Sequence, residues 1–263
     1  MLKPLQHREF GSGRPLVLVH GFPFHGEQWD AVARELASVA RCLVPDLRGF
    51  GRSAWPAQSA PDVWTMEQHA EDLAEWLDHL RVDEPLVLAG FSMGGYVAWP
   101  FLRAHRERLR GLALCNTRAI ADTTEGAAGR AKLAARALLE GAAPVIEGML
   151  PKLLAPHTLA ARPEVVSAVR RLMEVAAPNA LAAALHGMAR RPDSTPLLGS
   201  LDVPTLVVVG EHDAISSVAE MRGIATAIRG ARLVEIANAG HMTTHENPAA
   251  LARALREFIT SLA

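Results

Sequence analysis

The sequence predicts an α/β fold in which a mostly parallel central sheet is flanked by helices and carries an inserted helical segment. Three observations lead there. Short apolar runs alternate with longer helical patterns, the signature of strand–helix units. Most of those runs lack apolar/polar alternation, so their strands are expected to be buried on both faces, as in parallel sheets. From about Asp122 to Pro196 the rhythm stops, and no strand-like run occurs.

Taken in order, the first run is Leu16-Val17-Leu18-Val19. Cys42-Leu43-Val44, Leu86-Val87-Leu88-Ala89, Leu112-Ala113-Leu114-Cys115, Leu206-Val207-Val208-Val209 and Leu233-Val234-Glu235-Ile236 follow. Between them, Met66 to Leu80 spaces Leu73, Trp76, Leu77 and Leu80 three to four residues apart, the stripe of an amphipathic helix. The stretch from Asp122 to Pro196 is Ala-rich and punctuated by Pro144, Pro151, Pro156, Pro163 and Pro178. Proline suits the first turn of a helix and breaks its interior, so three to five short helices are expected there. The chain then divides into a core, 1–121 and 197–263, and a helical cap insertion, 122–196.

Composition bounds the function. A chain of 263 residues fits one α/β domain with an insertion, or two small domains. With 49% apolar and 21% charged residues it can build a core, which excludes disorder as its main state. The 27 basic and 28 acidic residues leave no overall field to favour nucleic acid or an anionic membrane. Cys42 and Cys115 are too few for a disulfide framework and read as buried, inert thiols. No stretch approaches the ~20 apolar residues of a membrane span. The segment Met1-Leu2-Lys3-Pro4-Leu5-Gln6-His7-Arg8-Glu9-Phe10 has no signal-peptide run. The expectation is a soluble, cytoplasmic protein that binds a small molecule, with its oligomeric state open.

The strongest chemical signal is Gly90-Phe91-Ser92-Met93-Gly94, a G-x-S-x-G nucleophile elbow. It ends the strand-like run from Leu86 and opens a helical pattern at Gly95-Tyr96-Val97-Ala98. Such a turn forces the serine into a strained conformation and needs small residues on either side. A nucleophilic serine needs a base, and the base an orienting acid. His241, just after the run ending at Ile236, and Asp213, just after the run ending at Val209, supply both. Their order, Ser-Asp-His, is the one this elbow takes, and each follows the carboxyl end of a strand, where open α/β sheets hold ligands. Singly, His241 reads as a loop histidine and Asp213 as a turn former; the combination favours chemistry. Glu211, His212 and His245 are rivals, and Asp213 is preferred to Glu211 because it lies farther along a loop that can reach across. For the oxyanion, the Met93 N–H is one donor. The loop His20-Gly21-Phe22-Pro23 offers the Phe22 N–H as the second.

The chain resembles α/β-hydrolases of the group that holds carboxylesterases, enol-lactonases and cofactor-free perhydrolases. The resemblance rests on His20-Gly21-Phe22-Pro23, Pro45-Asp46-Leu47-Arg48-Gly49-Phe50-Gly51-Arg52-Ser53, Gly90 to Gly95, Gly210 to Asp213, and Gly240-His241 followed by Glu246-Asn247-Pro248. It implies Ser92 as nucleophile, His241 as base, Asp213 as acid, and Phe22 and Met93 as oxyanion donors, with no metal or organic cofactor. It also implies that the insertion is a cap, and Leu114-Cys115-Asn116-Thr117-Arg118 at its start is similar to a subset of small-molecule esterases. Relatives with an aspartate nucleophile share the H-G-x-P loop, but the elbow residue here is Ser92. The reading is therefore a serine esterase for small to medium acyl esters. Perhydrolysis, lactone opening or carbon–carbon cleavage would use the same residues. A ligand-binding protein with a vestigial triad is the rival from another class, and a fluorophosphonate probe would separate them. Substrate-lining candidates are Phe91 and Trp99 from the core and Met149 and Met188 from the cap, since Met adapts to apolar ligands.

Other signals are set aside. Gly49-Phe50-Gly51-Arg52-Ser53-Ala54 matches a dinucleotide pattern but is followed by Trp55-Pro56 instead of opening a helix. His241 and His245 have metal-pair spacing without the glutamate of H-E-x-x-H. Trp29, Trp64, Trp76 and Trp99 sit at helical positions and read as core.

Overall fold

Strands buried on both faces need neighbours on both edges, and the apolar runs find them in one sheet. The computed structural model describes residues 3–55 and 60–262; Met1, Leu2 and Pro56, used in reading the sequence, lie outside them. β1 (His7–Phe10), β2 (Pro15–Val19), β3 (Arg41–Pro45), β4 (Leu86–Phe91), β5 (Leu109–Cys115), β6 (Thr205–Gly210) and β7 (Arg232–Ile236) lie in the order β1-β3-β2-β4-β5-β6-β7. β2 to β7 are parallel, and β1 runs antiparallel on β3. The register aligns Val19 with Gly90, Phe91 with Cys115, Cys115 with Val208 and Gly210 with Ile236. The chain segments leaving these strands therefore emerge along one edge of the sheet.

Two strands depart from the expectation of two-sided burial. β1 has no apolar run, since His7, Arg8 and Glu9 belong to an edge strand, and its pairing to β3 is invisible in the local sequence. β7 is the opposite edge, and Arg232 and Glu235 are exposed. The central strands β2, β4 and β6 are buried throughout.

Helices cover the sheet: α1 (Asp30–Leu36), α2 (Met66–His79) and α3 (Met93–Ala104) precede the insertion. α2 starts at a capping box, Thr65 accepting from the Gln68 N–H and Gln68 accepting from the Thr65 N–H. It buries Leu73, Trp76 and Leu77, three residues of the expected stripe. Trp29, Trp76 and Trp99 are buried. Trp64 is a correction: it lies in the loop before α2, half-buried, with its ring against Trp55.

Between β5 and β6 lie α4 (Thr124–Glu140), α5 (Ala143–Leu153), α6 (Pro156–Ala161), α7 (Pro163–Glu174) and α8 (Pro178–Ala189). Pro144, Pro156, Pro163 and Pro178 open their helices. Two expectations fail. α4, at 17 residues, is not short, because its run from Thr124 contains no proline. Pro151 does not end α5; it sits in the last turn, where few helical hydrogen bonds remain to be lost. The two ends of the insertion are tied together by Asp122, which pairs with Arg130 and, at 2.7 Å, with Arg191. The Arg191 guanidinium in turn stacks 4.1 Å over the Tyr96 ring of α3. Burial pushes the Asp122 carboxyl up, but the two guanidinium groups hold it below the ordinary range. α9 (Val218–Ala227), α10 (Thr243–Glu246) and α11 (Pro248–Ser261) complete the chain. Among the described residues, no helix is long and apolar enough to cross a membrane.

Candidate active site

Ser92 stands between β4 and α3 at φ 51° and ψ −112°, a left-handed conformation that costs a non-glycine residue energy. The neighbours make the turn possible, since a Cβ on Gly90 would overlap the Gly94 carbonyl and one on Gly94 the Val19 carbonyl. The backbone is held by the Ser92 N–H donating to the Cys115 carbonyl at 2.9 Å, and by Thr117 Oγ1 donating to the Ser92 carbonyl at 2.7 Å. The result is a half-buried serine between the fully buried Phe91 and Met93. Its chain position is the N-cap of α3, so its side chain stands where helix N–H groups converge.

His241 and Asp213 come together from separate loops. His241 Nδ1 lies 2.9 Å from Asp213 Oδ2 and 3.0 Å from Oδ1, and both residues are buried. Since a carboxylate only accepts, Nδ1 carries a proton, and Nε2 is the ring nitrogen turned away from Asp213. Asp213 also accepts from the Ile215 and Ser216 N–H groups at 2.8 and 2.9 Å. Burial pushes its carboxyl up, yet the facing imidazole and these donors bring it below the ordinary range, so it is ionised at neutral pH. The rival acid Glu211 is exposed and occupied elsewhere, accepting from the Asn238 N–H at 3.0 Å. His212 is exposed, and its ring lies 6.0 Å from that of His157. The Phe91 ring packs edge-on at 5.2 Å from His241 and 6.1 Å from Trp29. Among the described residues no hydrogen bond joins Ser92 Oγ to His241.

Two motifs from the sequence act as scaffolding around Phe22. His20 donates from Nδ1 to the Gly21 carbonyl at 2.9 Å and accepts the Leu47 N–H on Nε2 at 2.9 Å, tying the loop after β2 to the loop after β3. Burial lowers this histidine to a pKa of about 4, which keeps the accepting lone pair free. The Gly21 N–H is held by Gln28 Oε1 at 2.9 Å. Asp46 spans the same loops through the Gly26 and Arg52 N–H groups at 2.7 and 2.9 Å. Phe22 is buried with its ring 6.2 Å from Phe50. Among the described residues, neither the Phe22 nor the Met93 N–H has a hydrogen-bond partner in the protein.

Of the substrate-lining candidates, Trp99 is buried and donates from Nε1 to the Arg118 carbonyl at 3.0 Å. Met188 is buried with its sulfur 3.6 Å from Arg130 Nη1, and Met149 is half-buried. A cavity of about 370 Å³ opens between α7 and α10, lined by His25, Arg171, Leu172 and His245 among others; none of the four candidates lines it. Burial pushes the Cys42 and Cys115 thiols up to about 12, as inert core thiols should be.

Residues without an assigned role in the sequence reading complete the network. Asn116 donates from Nδ2 to Asp213 Oδ2 at 2.9 Å and accepts from Thr243 Oγ1 at 2.8 Å. Its position supplies the missed signal: like Ser92 and Asp213, Asn116 is a polar residue at the carboxyl end of a buried strand.

A model of the α/β-hydrolase fold family matches residues 14–248. The chain belongs to this family. The α/β-hydrolase is similar in structure to a thermophilic esterase from Thermogutta terrifontis, with 43% identity, a TM-score of 0.94 and coverage of 98% of this chain and 93% of that one. It is also similar to the enol-lactonase from Burkholderia xenovorans, with 27% identity, a TM-score of 0.87 and coverage of 97% and 96%. In sequence it is 30% identical over 261 residues to the pimeloyl-[acyl-carrier protein] methyl ester esterase of Chromobacterium violaceum, covering 96% of this chain and 97% of that protein. Two further curated relatives match over only 37% and 33% of their own lengths.

Proposed function

We propose that this α/β-hydrolase is a carboxylesterase-type serine hydrolase, acting on small to medium acyl esters through an acyl-enzyme on Ser92. The observation that carries the reading is the buried Asp213–His241 pair at 2.9 Å, on the same sheet edge as the serine elbow. Similarity to an esterase at 43% identity supports the ester as substrate class.

In this mechanism Ser92 Oγ attacks the ester carbonyl carbon, and its proton passes to His241 Nε2, a contact that tightens when substrate binds. The carbonyl oxygen becomes an oxyanion held by the Phe22 and Met93 N–H groups. As the intermediate collapses, the bond to the alcohol oxygen breaks and His241 returns the proton to the leaving alkoxide. Water then attacks the acyl-enzyme, giving its proton to His241; the serine oxygen leaves and takes that proton back. Asp213 keeps its charge throughout and stabilises the imidazolium. No step calls for a metal or an organic cofactor. The helices from α4 to α8 form the cap, with Met149 and Met188 facing the acyl group together with Phe91 and Trp99.

Turnover of p-nitrophenyl esters of increasing acyl length, with and without hydrogen peroxide, tests the reading. Hydrolysis that is greatest for short acyl chains and independent of peroxide is the expected result. Absence of turnover together with failure of a fluorophosphonate to label Ser92 would overturn it in favour of a binding protein. A lactone is a cyclic ester, and the likeness to an enol-lactonase favours lactone opening as the second reading; faster turnover of lactones than of open-chain esters would select it.

A further inference from the structure

We infer that Glu246 is a positioning residue for His241 and that it works by bolting the histidine loop to the helical insertion. The inference rests on the reading of His241 as the base. Glu246 is buried, at 5% exposure, on the short helix α10. Its two carboxylate oxygens face in two directions. Oε2 accepts the Gly240 N–H at 2.7 Å, the residue immediately before His241. Oε1 accepts the Ala155 N–H at 2.8 Å, in the link between α5 and α6.

The other side of the histidine is tied to the same link. The Met242 N–H donates to the Leu153 carbonyl at 3.0 Å, and Arg162 Nη1 donates to the Glu246 carbonyl at 2.8 Å. The residues before and after His241 are thus both held against residues 153–155, one through a carboxylate and one directly. Thr243, the next residue, is held by Asn116. Asp213 fixes the imidazole ring, whereas these bonds fix the backbone that carries it. A carboxylate suits the task because it offers an acceptor to each of two N–H donors, and such charge-assisted bonds are short and strong. An amide cannot do the same: one of its two ends is itself a donor and would face an N–H.

The consequence is mechanical. At its α5–α6 link the insertion belongs to the frame of the base, and it cannot swing away there without releasing the Gly240–Met242 backbone. A movement of the insertion that keeps these bonds is confined to its other helices.

The test is Glu246→Gln, with Ala155→Pro as a second variant. Ala155 has φ −61° and ψ 149°, and Leu154 before it is extended, so proline fits the backbone; it removes the donor that Oε1 accepts, and its ring pushes that oxygen away. The expected result for Glu246→Gln is a kcat reduced by about tenfold or more, with KM changed far less, because misplacement of a catalytic group by ~1 Å can cost on the order of a hundredfold. Ala155→Pro should shift kcat in the same direction by less. The low-field proton resonance of the His241 Nδ1–H, which reports the bond to Asp213, should move or broaden in both. If Glu246→Gln fails to fold, Ala155→Pro alone decides. Wild-type kcat and an unmoved resonance in the folded variants would overturn the proposal, even with a lower melting temperature. Ser92→Ala measured alongside separates the two readings. Turnover surviving that change sinks the serine mechanism, while the resonance still tests the positioning by Glu246.

Discussion

Asn116 Nδ2 donates to Asp213 Oδ2 at 2.9 Å, and that same oxygen faces His241 Nδ1 at 2.9 Å. The amide orientation is set by its other end, where Oδ1 accepts from Thr243 Oγ1. Asn116 itself sits at φ 49° directly after β5, a conformation that asparagine tolerates better than most residues. One side chain therefore orients the proposed acid and anchors the chain two residues beyond the proposed base. Asn116→Ala should lower kcat by on the order of tenfold, given that a hydrogen bond to a charged group is worth about 1.5–3 kcal/mol. Steady-state kinetics at a fixed pH would check this, and an unchanged kcat would remove Asn116 from the apparatus.

For the nucleophile, Ser92→Ala should abolish nearly all ester turnover and all fluorophosphonate labelling while the fold persists. Alanine keeps the backbone of the elbow, so circular dichroism should match that of the parent. A variant that retains more than about a tenth of the parent kcat is incompatible with a covalent intermediate on Ser92.

The two acidic residues after β6 predict opposite outcomes. Asp213→Asn keeps the shape but offers His241 an amide, which favours the wrong tautomer and should reduce kcat by roughly ten-thousandfold. Glu211→Gln should leave kcat near the parent value, because the exposed Glu211 carboxylate meets the Asn238 N–H and the His212 ring, and His241 meets Asp213. The reverse ranking would transfer the acid role to Glu211.

Acid sensitivity should trace in part to His69. This histidine is buried on α2, and among the described residues neither ring nitrogen has a hydrogen-bond partner. Burial, reinforced by His20 and Arg48, lowers its pKa from 6.5 to about 3. Between those values the unfolded chain takes up a proton that the folded chain refuses, so stability falls as pH drops below 6.5 and is unaffected above it. His69→Leu should remove a slope of up to about 1.4 kcal/mol per pH unit. Near neutral pH it should leave stability equal or higher, since a buried unpartnered polar group costs about 1–3 kcal/mol. Urea unfolding at neutral pH and near pH 5 would measure both; an acid limb as steep as the parent's would contradict the assignment.

Selectivity should respond to the insertion. Met188→Ala and Met149→Ala should each shift the acyl-length profile of kcat/KM, by about 1–3 kcal/mol per methylene accommodated or lost in an apolar pocket. Profiles unchanged in both variants would show that core residues set the preference.

Much of the fold was legible because burial on both faces leaves a one-dimensional trace. A parallel strand such as Thr205–Gly210 reads as a continuous apolar run, and the G-x-S-x-G turn requires small residues at fixed offsets. β1 left no such trace, because an edge strand needs only backbone pairing, and His7-Arg8-Glu9-Phe10 satisfies that with charged side chains. Pro151 misled because the effect of a proline depends on how much helix follows it.

The candidate site divides along the same line. By itself the sequence determined the family, the parallel sheet, and Ser92, Asp213 and His241 as the residues to watch, since each lies just past a buried strand and their order suits the elbow. Tertiary structure alone brought Asp213 within hydrogen-bond reach of His241, joined Asn116 to them, and tied Gly240 to Ala155 through Glu246. Those contacts join residues as far as 97 positions apart. Local pattern reports which face of an element is buried; which side chains meet across the edge of a sheet depends on the order in which strands pair, and no single segment contains that order.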